Sequence, residues 1–200
     1  MSVRNNANCL YACSSRTFSR SFLETVHYWF ALKVFFNKVL ELEAELKKMS
    51  VECYYPATIE EKILRGKKVC VKKPAVNSLL FFKGSLEEAQ EIQKRFEGRA
   101  MLFTYRLSRQ PAIIPDREMR IFQLVTDSGE KDLDYLDADA VNFKTGQHVR
   151  VTGGIFQGAE GYIKRIRGNK RLIVAIEGVV AVATSYIPSC YLEPIPESGS

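Results

Sequence analysis

The spacing of apolar and polar positions divides the chain into two unlike halves. The run "YWFALKV" at 28–34 is rich in aromatic and branched side chains, which predicts a buried strand. Val39, Leu42, Leu46 and Met49 then recur at helical spacing with charges between them, predicting an amphipathic helix capped by Asn37. Strand-like pieces at 52–56, 59–64 and 69–72, with Arg65-Gly66-Lys67-Lys68 as a turn, predict a basic hairpin. "SLLFFK" at 78–83 reads as a second apolar strand. Ser85 and Glu88 stand at capping-box spacing ahead of Leu86, Ala89, Ile92 and Phe96, and Gly98 falls where that helix should stop. A strand at 100–105 follows, and Pro115 opens a third helix with Met119, Phe122 and Val125 on one face. This order predicts an antiparallel sheet covered by helices, an α+β domain.

From residue 146 the pattern changes to short strands broken by glycine: 147–152, 160–167, 171–176, 179–184 and 190–193. Five short strands in so little chain predict a small SH3-like or OB-like all-β barrel. Gly154, Gly158 and Gly161 lead from strand to strand, whereas a phosphate loop or dinucleotide fingerprint leads from a strand into a helix. Their expected contribution is positive-φ turns and close backbone approach. Between the halves, 127–145 carries six acidic residues with little periodicity and is expected to be a linker.

Charge sharpens this division. Lys+Arg minus Asp+Glu is 3−1 for residues 1–27, 18−12 for 28–126, 2−6 for 127–145 and 6−4 for 146–200. The positive surplus lies mainly in 28–126, which suggests a body facing nucleic acid, joined to a second part by a self-solvating acidic connection. The five cysteines are scattered without a CxxC pair, which argues for a reducing cytoplasm and against a disulfide frame or structural zinc. Cys9, Cys13 and His27 are poorly spaced for a metal and lack a fourth ligand, so no metal site is expected. No apolar run reaches the roughly 18–20 residues of a membrane span. Residues 1–26 lack the apolar core of a secretory signal and are expected to be a disordered extension. With two histidines, neither beside a plausible nucleophile, the chain is not expected to be an enzyme or to need a cofactor.

At this point the residues carry a resemblance. "GQHVRVTGGIFQGAEGYIKRI" resembles a KOW motif: a Val-x-Val strand, Gly-x-Phe, then Gly-x-x-Gly leading into a basic strand. "RLIVAIEGVVAVATSYIPSCYLEPI" resembles the rest of the C-terminal domain of the NusG family of transcription elongation factors. "HYWFALKV", the amphipathic helix, the basic hairpin, the apolar strand and "QPAIIPDREM" follow the order of that family's N-terminal domain. Asn77-Ser78-Leu79 after "KKPAV" departs from the Pro-Gly-Tyr usual in the housekeeping members. Together with "IEGVVAVATSYIP" it is similar to the UpxY class of specialised paralogues associated with capsular polysaccharide operons.

The resemblance implies a NusG N-terminal-like domain at 27–126, an acidic linker at 127–145, a KOW domain at 146–195 and a tail at 196–200. It implies a monomeric cytoplasmic antitermination factor that suppresses pausing or termination. RNA polymerase would be gripped at its clamp helices through Trp29, Phe30, Leu79 and Phe81. Upstream or non-template DNA would meet Arg65, Lys67, Lys68, Lys72, Lys73, Arg106 and Arg109, mostly through phosphates. Phe156 on the Gly-x-Phe loop would meet termination factor Rho or a small-subunit ribosomal protein. The competing expectation is a ribosome-associated KOW protein that binds structured RNA.

Overall fold

The first sheet grows from two apolar strands, β1 (Tyr28–Val34) and β5 (Leu79–Gly84), paired antiparallel with Ala31 opposite Phe81. Short strands β2 (Cys53–Tyr54) and β6 (Ala100–Leu102) form its edges, giving the order β2-β5-β1-β6. The structure, a computed structural model, describes residues 26–64, 67–105, 107–137, 146–166 and 168–196. The expected extension at 1–26 therefore lies, but for its last residue, outside the described part, as does the tail from 197.

Helices α1 (Val39–Lys48) and α2 (Leu86–Arg95) cover one face of this sheet. Phe30, Leu32, Leu80 and Phe82 point into that layer and meet Val39, Leu42, Leu46, Ala89 and Ile92. The capping box expected at α2 is formed: the Glu88 amide donates to Ser85 Oγ at 3.1 Å, and the Ser85 amide donates to Glu88 Oε2 at 2.7 Å. Helix α1 starts differently. Lys38 occupies the N-cap position without a side-chain cap, while Phe36 and Asn37 sit in the left-handed region at φ 57° and 56°. Asn37 is thus spent on the reversal after β1, a conformation that asparagine tolerates better than most residues.

Helix α3 (Asp116–Thr126) covers the other face. Its Met119, Phe122 and Val125 meet Trp29, Ala31, Leu79 and Phe81, and the same apolar cluster continues through Val149, Val174 and Val182 of the C-terminal sheet. That second sheet is built from β8 (Gln147–Val151), β9 (Glu160–Ile166), β10 (Asn169–Ile176), β11 (Val180–Tyr186) and β12 (Leu192–Pro194). A sixth strand, β7 (Asp134–Asp137), completes the order β12-β8-β9-β10-β11-β7.

Strand β7 comes from the acidic stretch expected to be a linker. Its pairing with β11 sets Tyr135 opposite Val182 and Leu136 opposite Ala181. Asp134 is neutralised by Arg171, and Glu130 Oε2 accepts a hydrogen bond from Ser185 at 3.1 Å. Burial pushes the Tyr135 phenol up to about 12. Acidity alone reads as a solvated connection, but here each of these acids has a specific partner and the apolar residues between them complete the sheet.

The remaining element is a long antiparallel ribbon, β3 (Ala57–Leu64) with β4 (Lys67–Pro74), which forms a two-stranded sheet of its own. It is longer at both ends than the pieces read from sequence, because Ala57 and Pro74 still pair at its base.

Candidate macromolecular interfaces

Alternation along β1 and β5 decides which apolar side chains can act together. Successive strand residues point to opposite faces, so Trp29 and Phe30 cannot line one surface. Trp29, Leu79 and Phe81 do share a face, whereas Phe30 is directed under α1 and α2 and stacks on Phe82 with ring centroids 5.5 Å apart. Of the four residues expected to grip a polymerase, three therefore share one face of the sheet and Phe30 lies on the other.

Aromatic side chains beyond that trio enlarge its face. The Phe81 ring lies 5.6 Å from Phe122 and 6.4 Å from Tyr54, which stands opposite it in register on β2. The Tyr54 hydroxyl is 2.5 Å from Thr126 Oγ1 and 2.9 Å from Asp127 Oδ1, tying the sheet edge to the end of α3. Burial raises the Tyr54 phenol far above its ordinary range. At the other end, Lys83 Nζ sits 5.8 Å from the Trp29 ring centre and 3.2 Å from Asp116 of α3. Sequence spacing did not single out Tyr54; the signal was its position on a strand paired with the aromatic run at 79–82.

In this arrangement the face is closed. Trp29 is 5% exposed, Leu79 3% and Phe81 0%, packed under α3, which the C-terminal sheet contacts in turn through β10 and β11. A polar tie holds that cover: the Glu160 carboxylate accepts from Arg150 at 2.8–2.9 Å and also pairs with Arg117 of α3. Burial works against ionisation of Glu160, but the hydrogen bonds from the two guanidiniums prevail and hold its carboxyl below the ordinary value.

The basic ribbon carries Lys67, Lys68, Lys72 and Lys73 on β4. Lys68 approaches Glu61 at 3.7 Å, Lys73 pairs with Glu60, and Lys72 Nζ lies 5.6 Å from the Tyr55 ring centre. Ile59 and Ile63 stand 69% and 75% exposed on the facing strand. Arg65 and Arg106 lie outside the described residues. Arg109 is exposed in a turn at φ 57° after β6, whereas the ribbon springs from the β2 side. The fold thus groups the four lysines and separates Arg109 from them by the width of the sheet.

The loop between β8 and β9 turns on Gly154 and Gly158, at φ 80° and 89°. Gly161, inside β9, has no room for a side chain, since a Cβ there would lie 2.3 Å from the Ile173 carbonyl oxygen. These turns swing Phe156 inward: it is 4% exposed and packs in the large apolar cluster, while Ile155 is 59% exposed. The aromatic expected to meet a partner protein is a core residue here, because the amide of Ala159 bonds to its carbonyl and that of Gly158 to Val151, closing the loop over it.

Among the described residues no group of three potential ligands converges on a metal-sized site, and no helix is long and apolar enough to cross a membrane. Residues 27–123 match the family model NusG, described as transcription termination factor nusG. Among solved structures the chain is similar to one titled "Domain interaction in Thermotoga maritima NusG", with 16% identity, 86% of this chain and 98% of that chain covered, and a TM-score of 0.42. No curated protein matches the chain.

Proposed function

We propose that the chain, with its NusG-family domain, is a transcription elongation and antitermination factor of the specialised UpxY type, serving a polysaccharide biosynthesis operon. The observation that carries the reading is the family match over 27–123, coinciding with the apolar sheet face of Trp29, Leu79 and Phe81. That face binds the clamp helices of RNA polymerase. The ribbon lysines Lys67, Lys68, Lys72 and Lys73 meet phosphates of upstream or non-template DNA, giving salt-sensitive affinity without reading sequence.

The C-terminal sheet, read as a KOW barrel, exchanges its contact with α3 for Rho or a small-subunit ribosomal protein. Because α3 covers the polymerase-binding face and the C-terminal sheet packs on α3, binding requires that α3 move away from the face and that the Arg117–Glu160 pair separate. Ile155, already exposed on the Gly-x-Phe loop, is then available to a partner before Phe156 is. Bridging the clamp disfavours the paused form of the polymerase, so the factor acts by shifting a conformational population and makes no bond. On this reading the protein works as a cytoplasmic monomer without cofactor. The operon-specific part is supported by Asn77-Ser78-Leu79 after "KKPAV" and by "IEGVVAVATSYIP".

Capture of partners from lysate on the full chain tests the assignment. Recovery of RNA polymerase is expected; ribosomal subunits without polymerase would replace it with the ribosomal reading.

A further inference from the structure

Strand β7 is held from two directions. Toward its own sheet it pairs with β11, and Leu136 packs on the outer face with Ile173, Ala181 and Ala183. On the opposite face Tyr135, with Leu133 just before the strand, enters the large apolar cluster that also holds Met119, Phe122 and Val125 of α3. Burial first, and then the Asp127 carboxylate at the end of α3, raise the Tyr135 phenol, so that ring sits where the strand meets the helix end. The polar hold on the strand is incomplete. Asp134 meets one terminal nitrogen of Arg171, while Arg171 Nε is buried and has no acceptor among the described residues, a deficit that a bidentate pair would not carry. A four-residue edge strand is short, and the ordering of its backbone has to be offset by contacts. Once α3 and the C-terminal sheet part, Leu133 and Tyr135 lose the helix side of their cover. What then holds β7 is Leu136, the half-made Arg171 pair and the Glu130–Ser185 bond.

We infer that β7 is a conditional strand, paired with β11 only while the C-terminal sheet rests on α3 and released when the two part. The inference rests on the opening proposed above and adds what that opening does to the connection between the two parts. With β7 paired, seven residues (127–133) join α3 to the C-terminal sheet, about 25 Å at full stretch. With β7 released, the connection is 127–146, twenty residues and about 70 Å. Opening therefore lengthens the reach of the C-terminal sheet toward a partner, and re-pairing of β7 draws it back onto α3.

Two measurements on the full chain separate opening from strand release. Double electron–electron resonance between spin labels at Lys48→Cys and Glu193→Cys, in a chain whose five native cysteines are replaced by serine, reads the separation of the two parts. Hydrogen exchange followed by mass spectrometry over 130–137 reads β7, and over β8 and β9 it shows whether the rest of the sheet stays folded. Arg117→Glu sets a carboxylate against Glu160 and should create a population of long label distances, with exchange in β7 at least about tenfold faster and β8 and β9 at the parent rate. Arg171→Met acts from the other end, removing the partner of Asp134 on the face opposite Tyr135. By linkage it should raise both β7 exchange and the open population. Long label distances with β7 at the parent rate, or faster β7 exchange in Arg171→Met with an unchanged distance distribution, would overturn the inference and leave the opening intact. Label distances that stay at the parent value in Arg117→Glu would overturn both, since there would be no opening for the strand to follow.

Discussion

Replacing Phe156 by alanine separates a core role from a partner-binding one. The ring is 4% exposed and belongs to the cluster that joins α3 to the C-terminal sheet. Truncating a buried phenylalanine removes its transfer free energy and leaves a cavity, a loss of about 3–5 kcal/mol. At about 2–4 °C per kcal/mol for a chain of this size, the thermal midpoint should fall by roughly 6–20 °C. Differential scanning calorimetry gives the shift, and urea unfolding followed by tryptophan fluorescence and far-ultraviolet circular dichroism shows whether both halves lose stability together. Ile155→Ala is the internal control: at 59% exposure it should change stability by no more than about 0.5 kcal/mol. If Phe156→Ala lost less than about 1 kcal/mol, the loop would not close over the ring and the large apolar cluster would have to be redrawn.

Other expectations follow from the same contacts. Glu160 is held below the ordinary carboxyl value, so its contribution is fully present above the unfolded-state value of 4.5 and is lost as pH falls through the lower folded-state value. Thermal midpoints between pH 7 and pH 3 should therefore decline less steeply in Glu160→Gln than in the parent, and parallel curves would discount the Arg117–Glu160 tie. Ser85→Ala removes one half of the α2 capping box and should cost about 1 kcal/mol, read as a fall of roughly 2–4 °C in midpoint; no change would mean that the serine side chain contributes nothing to the cap. Tyr54→Phe removes the hydroxyl between Thr126 and Asp127 and should cost about 0.5–1.5 kcal/mol, measured by urea unfolding, with an increase in stability as the opposing result.

Much of the first half was legible in the sequence because its signals are local. The apolar runs at 28–34 and 78–83 became the central strands, and the Ser85–Glu88 spacing became a capping box with both bonds made. The glycines between β8 and β9 likewise served turns and a close approach. What spacing could not show is what covers what. The period of two already separates Phe30 from Trp29, yet both read as apolar positions of one strand until α1 and α2 are seen over one face and α3 over the other. Strand β7 was hidden for a different reason: its acids look like linker residues until Arg171 and Ser185, far along the chain, are brought beside them. Phe156 was expected to meet a partner because the family resemblance implies an exposed aromatic on the Gly-x-Phe loop, whereas the turns at Gly154 and Gly158 direct the ring inward. Asn37 lost its capping role to the left-handed turn that the chain needs immediately after β1.

The affinity of purified RNA polymerase for the full chain, measured beside a Trp29→Ala variant verified as folded by circular dichroism, bears most directly on the proposed function. The parent should bind, and the variant should lose about 2 kcal/mol or more, roughly thirtyfold, as truncated interface anchors do. Equal binding by the folded variant would contradict the assignment of the β1–β5 face as the polymerase contact, and no binding by the parent, including Glu160→Gln in which the tie to α3 is weakened, would contradict the function itself.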